Sequence, residues 1–405
     1  MKVYENCCST QKSVTNTNNN LLVRVLLKQL DNCSTALELT LPNDKKITLG
    51  KGDVGADIKV DNWRAFSRLV FGGMNAWAKS YIDGHWHSSD LTRVIRWGIA
   101  EQSNFKTLAK FSKVAVAVDN FYHWRRNNSR QGSRENIAAH YDLGNDFYKQ
   151  WLDASMSYSS ALFDSKQQSL EGAQRNKNNK ILQLLAAQQN DKVLEIGCGW
   201  GGFAEQAARL QGLQVSGITL SKEQLLWAQQ RAVSKDMGDS LSFSLTDYRD
   251  VQQRYDAVVS IEMFEAVGEA HWDEYFATLR KVLKDDAKAV LQVITIDDER
   301  FVEYRKKADF IQRYVFPGGM LPSAKVLREK FSEHGFELEQ EFFFGEDYAK
   351  TLVHWRAEFD RNWPKLELLG FDDRFKRLWH YYLSYCEGGF LSKTIDVGMF
   401  AIRKV

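Results

Sequence analysis

From about residue 170 onward the apolar positions alternate between two rhythms. Short apolar runs, KVLEIG (192–197), LQVSGITL (213–220), LSFSLTD (241–247), YDAVVSI (255–261) and AKAVLQVITI (287–296), read as buried strands. Between them, KEQLLWAQQRAVSK and HWDEYFATLRKVLK space apolar residues three and four apart, as a helix with one buried face does, and LEGAQRNKNNKILQLLAAQ is a longer helix ahead of the first strand. Such alternation predicts an α/β fold whose parallel sheet is covered on both faces. FELEQEFFFG and VGMFAIRK add two late strands, separated by helical stretches that include FKRLWHYYLSYCEGGF.

Upstream the rhythm differs. Residues 21 to about 60 carry short, alternating apolar segments, LLVRVLLKQL and KKITLGKGD among them, broken by Asp, Asn and Gly, and suggest a small mixed or strand-rich unit. From Trp63 to about Tyr122 the spacing turns helical, in FSRLVFGGMNAWAKSYIDG and LTRVIRWGIAEQS. The polar, basic, turn-rich stretch HWRRNNSRQGSREN (123–136) then interrupts it and marks a domain boundary. The expected organisation is a disordered tail over 1–20, rich in Asn and Thr, a smaller domain over 21–130 and a larger α/β domain over 131–405.

Composition narrows the functional classes. With 405 residues, 44% of them hydrophobic, the chain has material for a large core. A formal net charge of +2, from 54 basic and 52 acidic residues, gives no global pull toward nucleic acid. Any electrostatic targeting is local; Arg125, Arg126, Arg130 and Arg134 form the obvious cluster, read as a solvated linker or a strip for anionic headgroups. The five cysteines, Cys7, Cys8, Cys33, Cys198 and Cys386, lack zinc or framework spacing, which favours a reducing, cytoplasmic compartment. No apolar stretch reaches the ~20 residues a spanning helix needs, so a membrane would be met from outside. His85 and His87 in HWH lack a third metal ligand at sensible spacing and read as ordinary packing.

The segment GCGWGG (197–202) leaves the first strand just before a helix, where glycines let the backbone approach a ligand and a helix N-terminus offers free N–H groups. Dinucleotide and adenosyl cofactors both use this device, and a plain tight turn looks much the same. A dinucleotide fingerprint needs G-x-G-x-x-G and an acidic residue at the end of the second strand, where this chain reads GITLS. Asp247 and Tyr248 follow the third strand, where a carboxylate and a ring could take an adenine amino group and its face; alone, Asp247 is an ordinary turn residue.

Together, ENIAAHYDLGNDFYKQWLDASMSYSSALF, VLEIGCGWGG, GITLSKEQ, VVSIEMFEAVGE and FIQRYVFPGGMLPS, in this order, resemble the cyclopropane fatty acid synthase family from about residue 130 to the C-terminus. The resemblance implies a Rossmann-like class I methyltransferase with a seven-stranded sheet and a helical lid, acting with S-adenosylmethionine on double bonds of unsaturated phospholipid acyl chains. It implies cytoplasmic enzymes bound peripherally to the inner face of the membrane, often as homodimers. Carried onto matching positions, Tyr158 and Ser159 cover the cofactor and Gly197 and Gly199 pass under its amino acid portion. Thr219, Leu220 and Gln224 flank the ribose, and Asp247 and Tyr248 hold the adenine. His140 and Tyr141 line the lid over the acyl chain, or else lie on a helix surface.

An isolated alkene is a poor nucleophile, so the methyl donor must be held in line with the π bond in a dry pocket. The acyl cation that results must lose a proton to a base. In the family a bicarbonate ion is thought to serve, and the resemblance assigns its Glu to Glu265 and its Tyr to Tyr314. Two positions depart from the common pattern: Ser160 stands where many members have Cys, and Ile294 where many have His. A serine can still donate a hydrogen bond and an isoleucine side chain cannot, so the ion's site is either lost or built differently. Cys386 matches a cysteine once proposed to act in the family, against its simpler reading as a small buried residue. Cyclopropanation is the first expectation by family frequency, with methyl-branched or methylene products as the alternative. Rival readings are a methyltransferase for small soluble substrates and a cofactor-binding lipid carrier without turnover.

Overall fold

The computed structural model describes residues 21–105, 132, 143–165 and 167–405. Two compact units emerge, Met1–Ala115 and Val116–Val405. The expected boundary at 123–136 lies, apart from Gly132, outside the described residues, as do the arginine cluster and the tail.

In the first unit a sheet of order β2-β1-β3-β4 is formed by β1 (Ala36–Thr40), β2 (Lys46–Leu49), β3 (Val54–Val60) and β4 (Trp86–His87), with β1 and β3 parallel and the other pairs antiparallel. Helices α1 (Leu21–Leu30), α2 (Arg64–Ile82) and α3 (Leu91–Ala100) accompany it. Segment LLVRVLLKQL corrects the strand-rich expectation, because it is α1. Val23, Leu26, Leu27 and Leu30 are its buried positions, and their three- and four-residue spacing is helical. A ten-residue apolar segment satisfies both periods, and packing decides. The ring of Trp86 stacks on Trp77 at 4.5 Å, and its Nε1 donates to the Trp77 carbonyl at 3.1 Å. His85 Nδ1 lies 3.1 Å from Ser80 Oγ and His87 Nδ1 2.8 Å from Asp61, so both histidines have protein partners.

The second unit contains a seven-stranded sheet of order β10-β11-β9-β8-β5-β6-β7. Its strands are β5 (Lys192–Ile196), β6 (Gln214–Thr219), β7 (Leu241–Leu245), β8 (Tyr255–Ile261), β9 (Leu283–Ile296), β10 (Phe336–Phe343) and β11 (Ile395–Lys404). All seven runs picked out by apolar pattern are strands here, and the class I methyltransferase expectation holds. The sheet is not wholly parallel: β11 enters between β9 and β10 and pairs antiparallel with both. It follows the helix Asp373–Leu391. The covering helices include α4 (Leu170–Leu185), α5 (Gly202–Gln211), α6 (Lys222–Ser234), α7 (Trp272–Val282), α8 (Ala324–Glu333), α9 (Gly345–Arg361) and α10 (Asp373–Leu391).

From β5 the chain runs outward to β6 and β7, then returns to β8 on the other flank of β5. The strand order therefore reverses beside β5, and the carboxyl ends of β5 and β8 border the crevice where ligands of open α/β sheets collect. Below it, Leu194, Ile196, Val258, Leu291 and Val293 meet Phe276 and Leu279 of α7 in one apolar cluster. Phe276 is fully buried, edge-on to Tyr275 and Phe331. Phe276→Ala is expected to destabilise this unit by about 3–5 kcal/mol, read as a lower urea midpoint at unchanged slope.

Candidate active site

At the exit of β5 the backbone makes a left-handed turn three times, at Gly197 (φ 80°), Gly199 (φ 52°) and Gly201 (φ 79°), which only glycine adopts readily. Both Gly197 N and Cys198 N donate to the Ile218 carbonyl at 3.0 Å, folding the loop against the end of β6. A side chain at Gly197 would strike Met263 at 2.7 Å, and one at Gly202 the Ser155 carbonyl at 2.6 Å, so those glycines permit packing. Gly199 differs: a Cβ there meets no atom of the described residues within 4 Å. This is a cradle with room for a ligand under the loop.

The other proposed cofactor contacts border the same crevice. Thr219 Oγ1 donates to Gln224 Oε1 at 2.8 Å, and Ser221 caps α6 by accepting from Gln224 N, which fixes the position of Gln224; Leu220 between them is half-buried. Thr246 N donates to the Thr219 carbonyl at 3.1 Å and so brings Asp247 and Tyr248 beside this rim. The Asp247 carboxylate is engaged by Arg249 through its backbone N (3.1 Å), Nε (2.8 Å) and Nη2 (2.6 Å). An adenosyl group fits this chain's residues: a glycine cradle, a buried amide at Gln224 and a buried carboxylate at Asp247 along one rim.

Opposite the loop, the turn after β8 supplies two buried carboxyl groups. Glu262, in the left-handed region at φ 50°, receives three hydrogen bonds: from Ser160 N (2.8 Å) and Gln292 Nε2 (2.7 Å) to Oε1, and from the Tyr348 hydroxyl (2.6 Å) to Oε2. Glu265 receives one, from Ile294 N (2.5 Å) to Oε1, and its buried Oε2 has no partner among the described residues. Burial, followed by the charge of Glu262, pushes the Glu265 carboxyl up to about 8, so it stays protonated at neutral pH. Burial raises Glu262 as well, against the pull of its three donors and of Lys177.

The segment before α4 closes the crevice. The Tyr158 and Tyr382 hydroxyls lie 2.9 Å apart, and the Tyr158 ring sits among Tyr148, Trp151, Phe316 and Trp355. Ser159 Oγ accepts from Lys177 Nζ at 3.1 Å, and burial brings that ammonium down to about 8. Ser160 uses its N–H on Glu262, while its hydroxyl donates to the next carbonyl, that of Ala161, at 3.0 Å. Buried Trp151 and Trp355 leave their indole N–H groups without a partner among the described residues, a sign of a dry aromatic wall.

Two expected participants stand apart from this arrangement. Tyr314 packs on Phe310 at 5.4 Å, under the Arg313 guanidinium, and no hydrogen bond joins it to either glutamate. Tyr348, unremarked in the sequence, is the tyrosine that reaches a carboxylate. Burial, Asp309 and Glu262 push the Cys386 thiol far above its ordinary range, which leaves it neutral and unsuited to attack as a thiolate. His140 and Tyr141 lie outside the described residues. Sequence reasoning passed over Glu262, Gln292, Lys177 and Tyr348. Glu262 alone had a local signal, as the first of two glutamates three apart in EMFEAVGE at a strand end.

Comparison with known proteins accords with this geometry. The family model described as mycolic acid cyclopropane synthetase matches residues 128–400. The chain is 38% identical over 344 residues to "Tuberculostearic acid methyltransferase UfaA1" of Mycobacterium tuberculosis, covering 80% of this chain and 78% of that one. It is 34% identical to "Cyclopropane-fatty-acyl-phospholipid synthase" of Escherichia coli, covering 85% and 87%. Among solved structures, mycolic acid cyclopropane synthase CmaA1 complexed with SAH and CTAB superposes with a TM-score of 0.63 at 31% identity, over 67% of this chain and 98% of that one. The chain therefore belongs to the mycolic acid cyclopropane synthetase family and is an S-adenosylmethionine-dependent methyltransferase.

Proposed function

We propose that the chain methylates the double bond of unsaturated acyl chains in membrane phospholipids, with ring closure to a cyclopropane as the first outcome. The observation that carries this reading is the pair of carboxyl groups, Glu262 and Glu265, held against β9 in the turn that follows β8, beside the switch point of the sheet. Bound S-adenosylmethionine supplies an electrophilic methyl group. In the proposed arrangement Gly197 and Gly199 pass under its amino acid portion, Thr219, Leu220 and Gln224 flank its ribose, Asp247 and Tyr248 take its adenine, and Tyr158 and Ser159 cover it. The aromatic wall of Tyr158, Trp151 and Trp355 excludes water and offers ring faces to an acyl cation. Glu265, in the turn after β8, stands as a protonated carboxyl group beside the place where the proton leaves.

A peripheral approach to the bilayer agrees with the chemistry of the substrate, and no described helix is long and apolar enough to cross a membrane. The second reading, a methyl-branched or methylene chain, is favoured by the 38% identity with the tuberculostearic acid enzyme. Both outcomes share the methyl transfer and the acyl cation, and a saturated methyl branch needs a reductant in addition.

The deciding experiment incubates the protein with dioleoyl phospholipid vesicles and methyl-labelled S-adenosylmethionine. Label in the acyl chain together with released S-adenosylhomocysteine is expected; release only with small soluble amines or phenols would defeat the lipid reading. A ring and a methylene alkene have equal mass, so mild hydrogenation separates them, since only the alkene takes up hydrogen. Glu265→Gln is expected to lower turnover at least a hundredfold while cofactor affinity in equilibrium binding stays within about threefold, roughly 0.7 kcal/mol. Gly199→Leu is expected to weaken cofactor binding at least thirtyfold, about 2 kcal/mol, and to lower the urea midpoint by the strain of a left-handed leucine, about 1–2 kcal/mol.

A further inference from the structure

The donors of the switch point are already committed. Ser160 N–H, Gln292 Nε2 and the Tyr348 hydroxyl converge on one planar anion, the Glu262 carboxylate, while Ile294 N–H goes to Glu265. The Ser160 hydroxyl turns away to the Ala161 carbonyl, and position 294 offers no polar side chain. A bicarbonate ion entering here would find its donors taken and two buried carboxyl groups beside it. The residues present do not fit that ion.

They do fit a carboxylate tethered to the chain. Gln292 and Ile294, two apart on β9, hold Glu262 and Glu265 respectively, so both acids end on one stretch of one strand. Oε1 of Glu262 takes two donors and Oε2 only one, which leaves Oε2 an open acceptor site. Its backbone is also held in the left-handed region, where a glutamate is strained, and such strain persists where surrounding structure imposes it.

We propose that the Glu262 carboxylate stands in place of a dissociable anion and is the base of the reaction, so that this chain turns over without bicarbonate. The inference rests on the lipid methylation reading above. In the step concerned, a C–H bond of the transferred methyl breaks and its electron pair closes the ring C–C bond onto the cationic carbon, or a C–H bond on the carbon next to the cation breaks and its pair forms a new C=C bond. The proton passes to Glu262 Oε2 and from there to solvent, while Glu265 remains the protonated neighbour. Charge is balanced, since a cation and a carboxylate become two neutral groups.

The test uses the full-length protein with dioleoyl phosphatidylglycerol vesicles and S-adenosylmethionine, in buffer sparged free of carbon dioxide and in the same buffer with added bicarbonate. Wild-type S-adenosylhomocysteine release is expected to agree within twofold between the two. Glu262→Gln is expected to lose at least a hundredfold in kcat in both, with cofactor affinity unchanged. Glu262→Gly suits the left-handed backbone and uncovers the three donors, and its turnover is expected to rise at least tenfold on adding bicarbonate or formate. A wild type that loses tenfold without bicarbonate, a Glu262→Gln protein of near-normal kcat, or a Glu262→Gly protein indifferent to both anions would each overturn the proposal. A wild type silent toward vesicles in both buffers, yet binding the cofactor, would overturn the lipid reading and this base with it.

Discussion

Two carboxyl groups are withdrawn from water at the carboxyl end of β8, and a protein tolerates this only by supplying hydrogen-bond donors or by leaving a group protonated. Both solutions appear side by side. Glu262 receives three donors, whereas Glu265 receives one and keeps its proton up to about 8. Much of the surrounding architecture answers to this demand. Ser160 is held to β8 through its backbone N–H, Tyr348 of α9 turns its hydroxyl inward, and Met320 N ties the proline-glycine loop to the Glu265 carbonyl at 2.8 Å. Elements distant in sequence thus close on one small polar centre.

Around that centre the protein is strongly apolar. Tyr148, Trp151, Tyr158 and Trp355 form a continuous set of ring contacts, and the Tyr158 hydroxyl lies 2.9 Å from that of Tyr382. Electrostatic interactions are stronger in such surroundings, and an acyl cation there is spared capture by water. The same dryness accounts for the neutral thiol of Cys386. On the far side of the crevice the glycine loop is free of side chains at Gly199, so a cofactor can be carried by backbone and by the rim from Thr219 to Tyr248.

Relatives with 30% identity or more bear names both of cyclopropane synthases and of fatty acid methyltransferases. Methyl transfer is common to these outcomes, and they diverge at the loss of one proton or another. Selection between them therefore belongs to the geometry of the base relative to the cation. In this chain the departures from the family pattern, Ser160 and Ile294, coincide with the neighbourhood of a second buried glutamate.

The amino-acid sequence by itself determined the α/β class, the seven strands and the glycine turn, because strand period, helix period and turn chemistry are properties of neighbouring residues. It also placed Gly199 and Asp247 just after strand ends, where ligands of such sheets gather. It was ambiguous at LLVRVLLKQL, which fits two periods until packing selects one. Only the tertiary structure decided the antiparallel entry of β11, and only it revealed the convergence of Ser160, Glu262, Gln292 and Tyr348. Those four come from a loop, a strand end, a neighbouring strand and a distant helix, and no local pattern encodes their meeting. Their hydrogen bonds exist only once the sheet has assembled and water has been driven from the crevice.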